Sequence, residues 1–133
     1  MVSWHGFINT CYICGYQAET MDHLFFTCAY SKEVVKIVGQ WIGIMLPTQH
    51  FHEWSLRRGQ SKIRIDVINV VFNACIYHVW RQRDLSKHEL TLICPEKVAA
   101  TIVDEMKIRI KRCSMKMANT DKIWIRGLID DAN

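Results

Sequence analysis

The sequence predicts a mainly α-helical protein: a small knuckle built on cysteine and histidine, followed by a bundle of about three to four helices. Three observations predict it. Cys11, Cys14, His23 and Cys28 form the pattern C-x2-C-x8-H-x4-C near the N-terminus. From Ser31 onward, apolar residues recur at helical spacing over long stretches. Only two prolines and six glycines occur in 133 residues, with no low-complexity stretch or internal repeat, which argues against long linkers. With half its residues hydrophobic, a chain of this length buries roughly two thirds of its unfolded surface on folding. Residues 1–30 are expected to form the knuckle module, and 31–133 a helical region packed with it.

Thiolate sulfur and neutral imidazole nitrogen are the donors zinc prefers, so the four residues read as one Cys3His site. Three sulfurs and one nitrogen close a tetrahedron and leave no position open for substrate, which makes the expected zinc structural. Two cysteines two residues apart make a tight turn, where Gly15 can adopt positive φ. On a continuous helix His23 and Cys28 would lie about 140° apart, so a helix carrying His23 should end before Cys28. Thr20 is its expected N-cap. A C-x2-C pair also serves thiol redox chemistry, but "CYIC" lacks a βαβ setting, and that reading leaves His23 and Cys28 unexplained. Disulfides need an oxidising compartment, whereas "MVSWHGFINT" has neither the basic nor the apolar region of a signal peptide. The expected location is intracellular, cytoplasmic or nuclear.

Ser31 is the expected cap of a helix whose apolar residues are Val34, Val35, Ile37, Val38, Trp41 and Ile42, ending near Gly43. Between Gln49 and Gln60 a short helix and an irregular loop fit equally well. Ser61 to about Leu85 is the strongest long helix, with Ile65, Ile68, Phe72, Cys75, Ile76, Val79 and Trp80 on a wide apolar face. Arg64, Asp66, Asn69, Asn73 and His78 interrupt it, so it reads as a buried central helix rather than a membrane span. Pro95 suits the first turn of a further helix. Its residues Ala99, Val103, Met106, Ile110, Cys113 and Met117 alternate spacings of four and three, as in a bundle seam or a partner interface. The tail "TDKIWIRGLIDDAN" fits strand or helix, with Trp124 docked on the core in either case. Phe25 and Phe26 are expected to fill the small core beneath the metal, although with Tyr30 they could also stack bases. Cys75, Cys94 and Cys113 read as small buried hydrophobes.

The run "CYICGYQAETMDHLFFTCAYSKEV" resembles the zinc-binding domain at the C-terminal end of plant LINE-type, non-LTR retrotransposon reverse transcriptases. Cys11, Cys14, Glu19, Thr20, His23, Leu24, Phe25, Phe26 and Cys28 match that family's pattern. "IYHVWRQRD", Ile76 to Asp84, is similar to its later helix, with Asp84 where Asn is usual, and "SWHGF" to the segment leading into the knuckle. The resemblance is strong over 11–31, moderate over 76–84 and thin elsewhere. It implies a non-catalytic accessory module that assists binding of RNA or DNA. No Tyr-x-Asp-Asp polymerase signature, endonuclease or RNase H region occurs, so no polymerase activity is carried over.

Charge qualifies that implication. The net charge is a modest +4, and Met1 to Ser31 contains no Lys or Arg. Three thiolates around zinc leave the centre with about one negative charge. Any phosphate contact therefore falls to three later clusters: Arg57, Arg58, Lys62 and Arg64; Arg81, Arg83 and Lys87; and Lys107, Arg109, Lys111, Arg112 and Lys116. Solvated helix faces are commonly as basic. His50 with His52, and Cys75 with His78, fall short of a second four-ligand site. No Ser-His-Asp set, paired-carboxylate motif, Walker loop or dinucleotide loop appears, so neither enzyme activity nor a small-molecule substrate is expected. The alternative to nucleic-acid binding is a structural or protein-interaction domain derived from a retroelement fragment.

Overall fold

The computed structural model describes residues 10–43, 61–88, 91–112 and 118–130. Four α-helices follow a short π-helical turn at His23–Thr27: α1 (Ala29–Ile42), α2 (Lys62–Lys87), α3 (Pro95–Arg112) and α4 (Asn119–Asp130). An isolated antiparallel bridge joins Thr10 to Ala18 across the knuckle. The protein is thus mainly helical, with the Cys3His group ahead of the helices.

Each boundary has a local cause. Thr20 Oγ1 accepts from the His23 amide at 3.0 Å and starts the turn that carries the histidine. That turn closes with the Cys28 amide donating to the His23 carbonyl at 2.7 Å, a five-residue step, and Cys28 itself is extended (φ −63°, ψ 133°). The expected break before Cys28 is there. It also moves the start of α1. Cys28, not Ser31, occupies its N-cap position, and Ser31 lies one turn inside, fully buried, donating its hydroxyl to the Leu24 carbonyl. Gly43 ends α1 with φ 83°, the left-handed conformation glycine adopts without steric cost. Ser61 caps α2 by accepting from the Arg64 amide at 3.1 Å. The ambiguous tail is helical, because its apolar residues meet the core on one side: Leu128 is buried and Trp124 half-buried, while Ile123 is exposed.

α1 packs most extensively on α3, and α2 lies against both. Val34, Val38 and Ile42 of α1 meet Ile68, Val71, Cys75 and Val79 of α2 and Val98, Ala99, Ile102 and Met106 of α3 in one core. The α3 seam accordingly faces its own bundle: Ala99 and Met106 are buried, and Val103 and Ile110 pack against the core from its margin. Leu24, Phe25 and Phe26 join the same core from the π turn, and the Phe26 ring lies 6.1 Å from that of Phe72 at 29°. Fully burying one such ring stabilises by about 1.5–3 kcal/mol, and here the gain ties the knuckle to α2. Of the cysteines read as buried, Cys75 is so and Cys94 is exposed, because Cys94 precedes α3 rather than lying on an inner face. Among the described residues, no helix is long and apolar enough to cross a membrane. The readings made for Ser3–Phe7, Gln49–Gln60 (with His50, His52, Arg57 and Arg58), Cys113, Lys116 and Met117 lie outside the described residues.

Candidate metal centre

The tight turn after Cys11 delivers two of the four ligands. The Gly15 amide donates to the Cys11 carbonyl at 2.9 Å, and Gly15 takes φ 75° as the two-residue spacing requires. The Cys11 amide donates to the Gln17 carbonyl at 2.7 Å, which closes the loop back on itself. The π turn supplies His23, and the extended residue after it supplies Cys28.

One ligand atom from each of Cys11, Cys14, His23 and Cys28 lies within 4.8 Å of all the others. Cys11 Sγ and Cys28 Sγ are 4.0 Å apart, and Cys14 Sγ is 3.2 Å from His23 Nε2. Zinc–sulfur bonds of about 2.3 Å in a tetrahedron set sulfurs about 3.8 Å apart, with sulfur–nitrogen spacing slightly shorter. The donor set therefore fits zinc in both chemistry and spacing. Cys11, His23 and Cys28 are buried and Cys14 partly so.

The surroundings prepare the donors. Thr27 Oγ1 lies 3.0 Å from His23 Nδ1, so an Nδ1–H donated to the threonine leaves the Nε2 lone pair for the metal. Burial alone pushes the Cys14 thiol up, but the Tyr16 and Gln17 amides, His23 and Cys11 outweigh it and bring the thiol down to about 6. At Cys28 burial dominates. It pushes the thiol up to about 12, opposed by the Tyr30 and Ser31 amides and reinforced by the neighbouring Cys11 and Cys14 sulfurs. The three sulfurs repel as thiolates, and a dication between them removes that penalty.

A contact to the knuckle arrives from far along the chain. Glu19, 5% exposed, accepts from the Tyr12 amide at 3.2 Å through one oxygen and from Arg83 Nε at 3.0 Å and Nη2 at 2.5 Å through the other. The guanidinium lies 5.0 Å from the Tyr12 ring and 4.9 Å from that of Trp80. The absence of Lys and Arg before Lys32 therefore did not mean a metal site without a basic neighbour. His23 and Thr27 stand four apart, a relation readable in the sequence, whereas 64 residues separate Glu19 from Arg83 and no local pattern links them.

The basic clusters divide in the structure. Arg83 is spent on Glu19 and on Asp84, with its side chain 14% exposed, so it is not available to a phosphate. Arg64 is 3.5 Å from Asp121 and 5.1 Å from the Trp124 ring. Lys62 is exposed and pairs with Asp66. Arg81 and Lys87 are exposed on α2, the latter 5.9 Å from the Tyr12 ring. Arg109, Lys111 and Arg112 are exposed in the last turn of α3, where cations also offset the negative end of the helix dipole; Lys107 is half-buried. Phe25, Phe26 and Tyr30 are buried, with the Tyr30 hydroxyl donating to the Ile93 carbonyl at 2.5 Å, so none offers a face for base stacking. His78 pairs with Glu105 at 2.9 Å, and burial pushes the Cys75 thiol up to about 12; among the described residues the N-terminal group is the one metal-ligating cluster.

Comparison with family models, with curated proteins and with solved structures found no match.

Proposed function

We propose that this chain is a non-catalytic zinc-binding accessory module that assists nucleic-acid binding, with one zinc held structurally by Cys11, Cys14, His23 and Cys28. The convergence of those four donor atoms within 4.8 Å carries the reading. Donors from the tight turn, from the π turn and from the cap of α1 make the metal a clamp on the start of the helical region. The nucleic-acid part rests on the resemblance to the reverse-transcriptase zinc-binding domain and on the exposed Arg81, Arg109, Lys111 and Arg112.

Elemental analysis of protein purified without added chelator tests the metal, with close to one zinc per chain expected. Titration with single-stranded RNA and with duplex DNA across a salt series tests the partner. Four phosphate contacts give a log–log slope of about −3.6 on duplex DNA, and no binding at low salt overturns that part.

A second reading has an observation of its own. An apolar groove of about 150 Å³ runs between α2 and α3, lined by residues that include Ile63, Val67, Val70, Met106 and Ile110. Exposed apolar surface of this kind is where protein partners dock, and such binding would depend far less on salt than phosphate contacts do.

A further inference from the structure

We propose that Arg83 is a positioning residue of the metal centre, acting through Glu19, so that zinc binding and the order of α2 are energetically coupled. This rests on the zinc reading above and adds to it a residue that touches neither metal nor ligand.

The geometry is a two-sided grip on the knuckle. Tyr12 lies one residue after the ligand Cys11 and two before the ligand Cys14. Its amide is fixed by one oxygen of Glu19 at 3.2 Å, and the other oxygen of the same carboxylate is held by two N–H groups of Arg83. The Tyr12 ring then covers the guanidinium that holds Glu19, with Trp80 on the same cation. Both ends of residue 12 are therefore referred to α2.

Electrostatics gives the arrangement a reason. Glu19 is a buried carboxylate one loop away from a Cys3His centre whose own charge with zinc is about −1. A buried anion beside an anionic centre is costly unless paired and hydrogen-bonded. Arg83 supplies the pair, and the hydrogen bond to Glu19 in turn raises the guanidinium pKa, so the cation is retained. Remove Arg83 and the buried carboxylate loses its partner and turns to water, releasing the Tyr12 amide and the turn that orients Cys11 and Cys14. Groups bonded directly to metal ligands typically cost 10–100-fold in metal affinity when mutated, which sets the upper scale for a group one step further out.

Zinc affinity measured against a chromophoric chelator on the full chain tests this, with wild type, Arg83→Met, Glu19→Gln and the double variant. Arg83→Met and Glu19→Gln are each expected to weaken zinc binding by more than twofold and by up to about 10–100-fold. The double variant should be no weaker than the worse single one by more than about twofold, since coupled residues are non-additive. Cobalt(II) substituted for zinc should show altered thiolate-to-metal absorption in both single variants. Arg64→Met breaks another partly buried ion pair of α2, about 28 Å along the helix axis, and should leave affinity within twofold. Near-wild-type affinity in Arg83→Met overturns the proposal, as does multiplicative loss in the double variant or an equal loss in Arg64→Met. If Arg83→Met does not fold, Glu19→Gln carries the same decision. Absence of zinc binding by the wild type instead overturns the zinc reading, and this inference with it.

Discussion

Thr27 Oγ1 sits 3.0 Å from Nδ1 of His23, on the same turn and on the side of the ring away from the metal ligands. A hydroxyl that accepts the Nδ1 proton leaves the lone pair of Nε2, the ring nitrogen 3.2 Å from Cys14 Sγ, for a metal. Thr27→Val keeps the shape and removes the acceptor. It is expected to weaken zinc binding about 10–100-fold, while Thr27→Ser stays near wild type. Chelator competition at fixed pH checks it, and equal affinities for Thr27→Val and wild type would show that the bond does not orient the ring.

Zinc uptake should release protons, in a number that changes with pH. Only deprotonated cysteines bind the metal. With Cys14 at about 6 and Cys28 at about 12 in the metal-free form, neutral pH finds the first ionised and the second protonated. Binding at pH 7.5 must then displace at least the Cys28 proton, and below pH 6 the Cys14 proton as well. Affinity therefore rises with pH and falls more steeply below about 6. Calorimetry in buffers of different ionisation enthalpy counts the protons, and a pH-independent affinity between 5 and 8 would contradict these shifts.

Phe26 connects the metal turn to the bundle through Phe72, and it is among the largest fully buried side chains. Phe26→Ala is expected to cost about 3–5 kcal/mol, the usual loss for a large aromatic truncated in a core. Urea denaturation of zinc-loaded protein measures it. Because the ring serves both parts, knuckle and helices should unfold together in wild type and separate in the variant. A loss under 1 kcal/mol would mean that the turn is held by metal alone.

What was legible in the sequence was local. The tight turn at Gly15, the break before Cys28, the cap at Thr20 and the stop near Gly43 depend on residues within a few positions, and each is found. The four donors that converge were readable because metal chemistry restricts both donor type and spacing. Ser31 misled because a serine ahead of an apolar run looks like a cap, whereas its hydroxyl is taken by the Leu24 carbonyl, seven residues earlier in the π turn. The basic clusters misled for a related reason. Arg64 and Arg83 look like members of charged patches in the chain, but their partners Asp121 and Glu19 lie 57 and 64 residues away. Only packing brings such pairs together.

Asp121 gives the last prediction. Buried at the start of α4, its carboxylate accepts from the Ser61 hydroxyl at 2.8 Å and faces Arg64 Nε at 3.5 Å. It therefore ties the cap of α2 to α4 across 60 residues. Asp121→Ala leaves Ser61 still able to cap Arg64 but removes the anion both groups share. Arg64 keeps a third of its side chain exposed, so water compensates part of the loss, and the expected cost is about 1–3 kcal/mol. Amide exchange should accelerate in the first turn of α2 and throughout α4, while residues 11–28 and zinc affinity stay unchanged. Acceleration at the knuckle instead would mean that strain at the far end of α2 reaches the metal centre. Unchanged exchange in α4 would mean that Leu128 and Trp124 alone dock that helix.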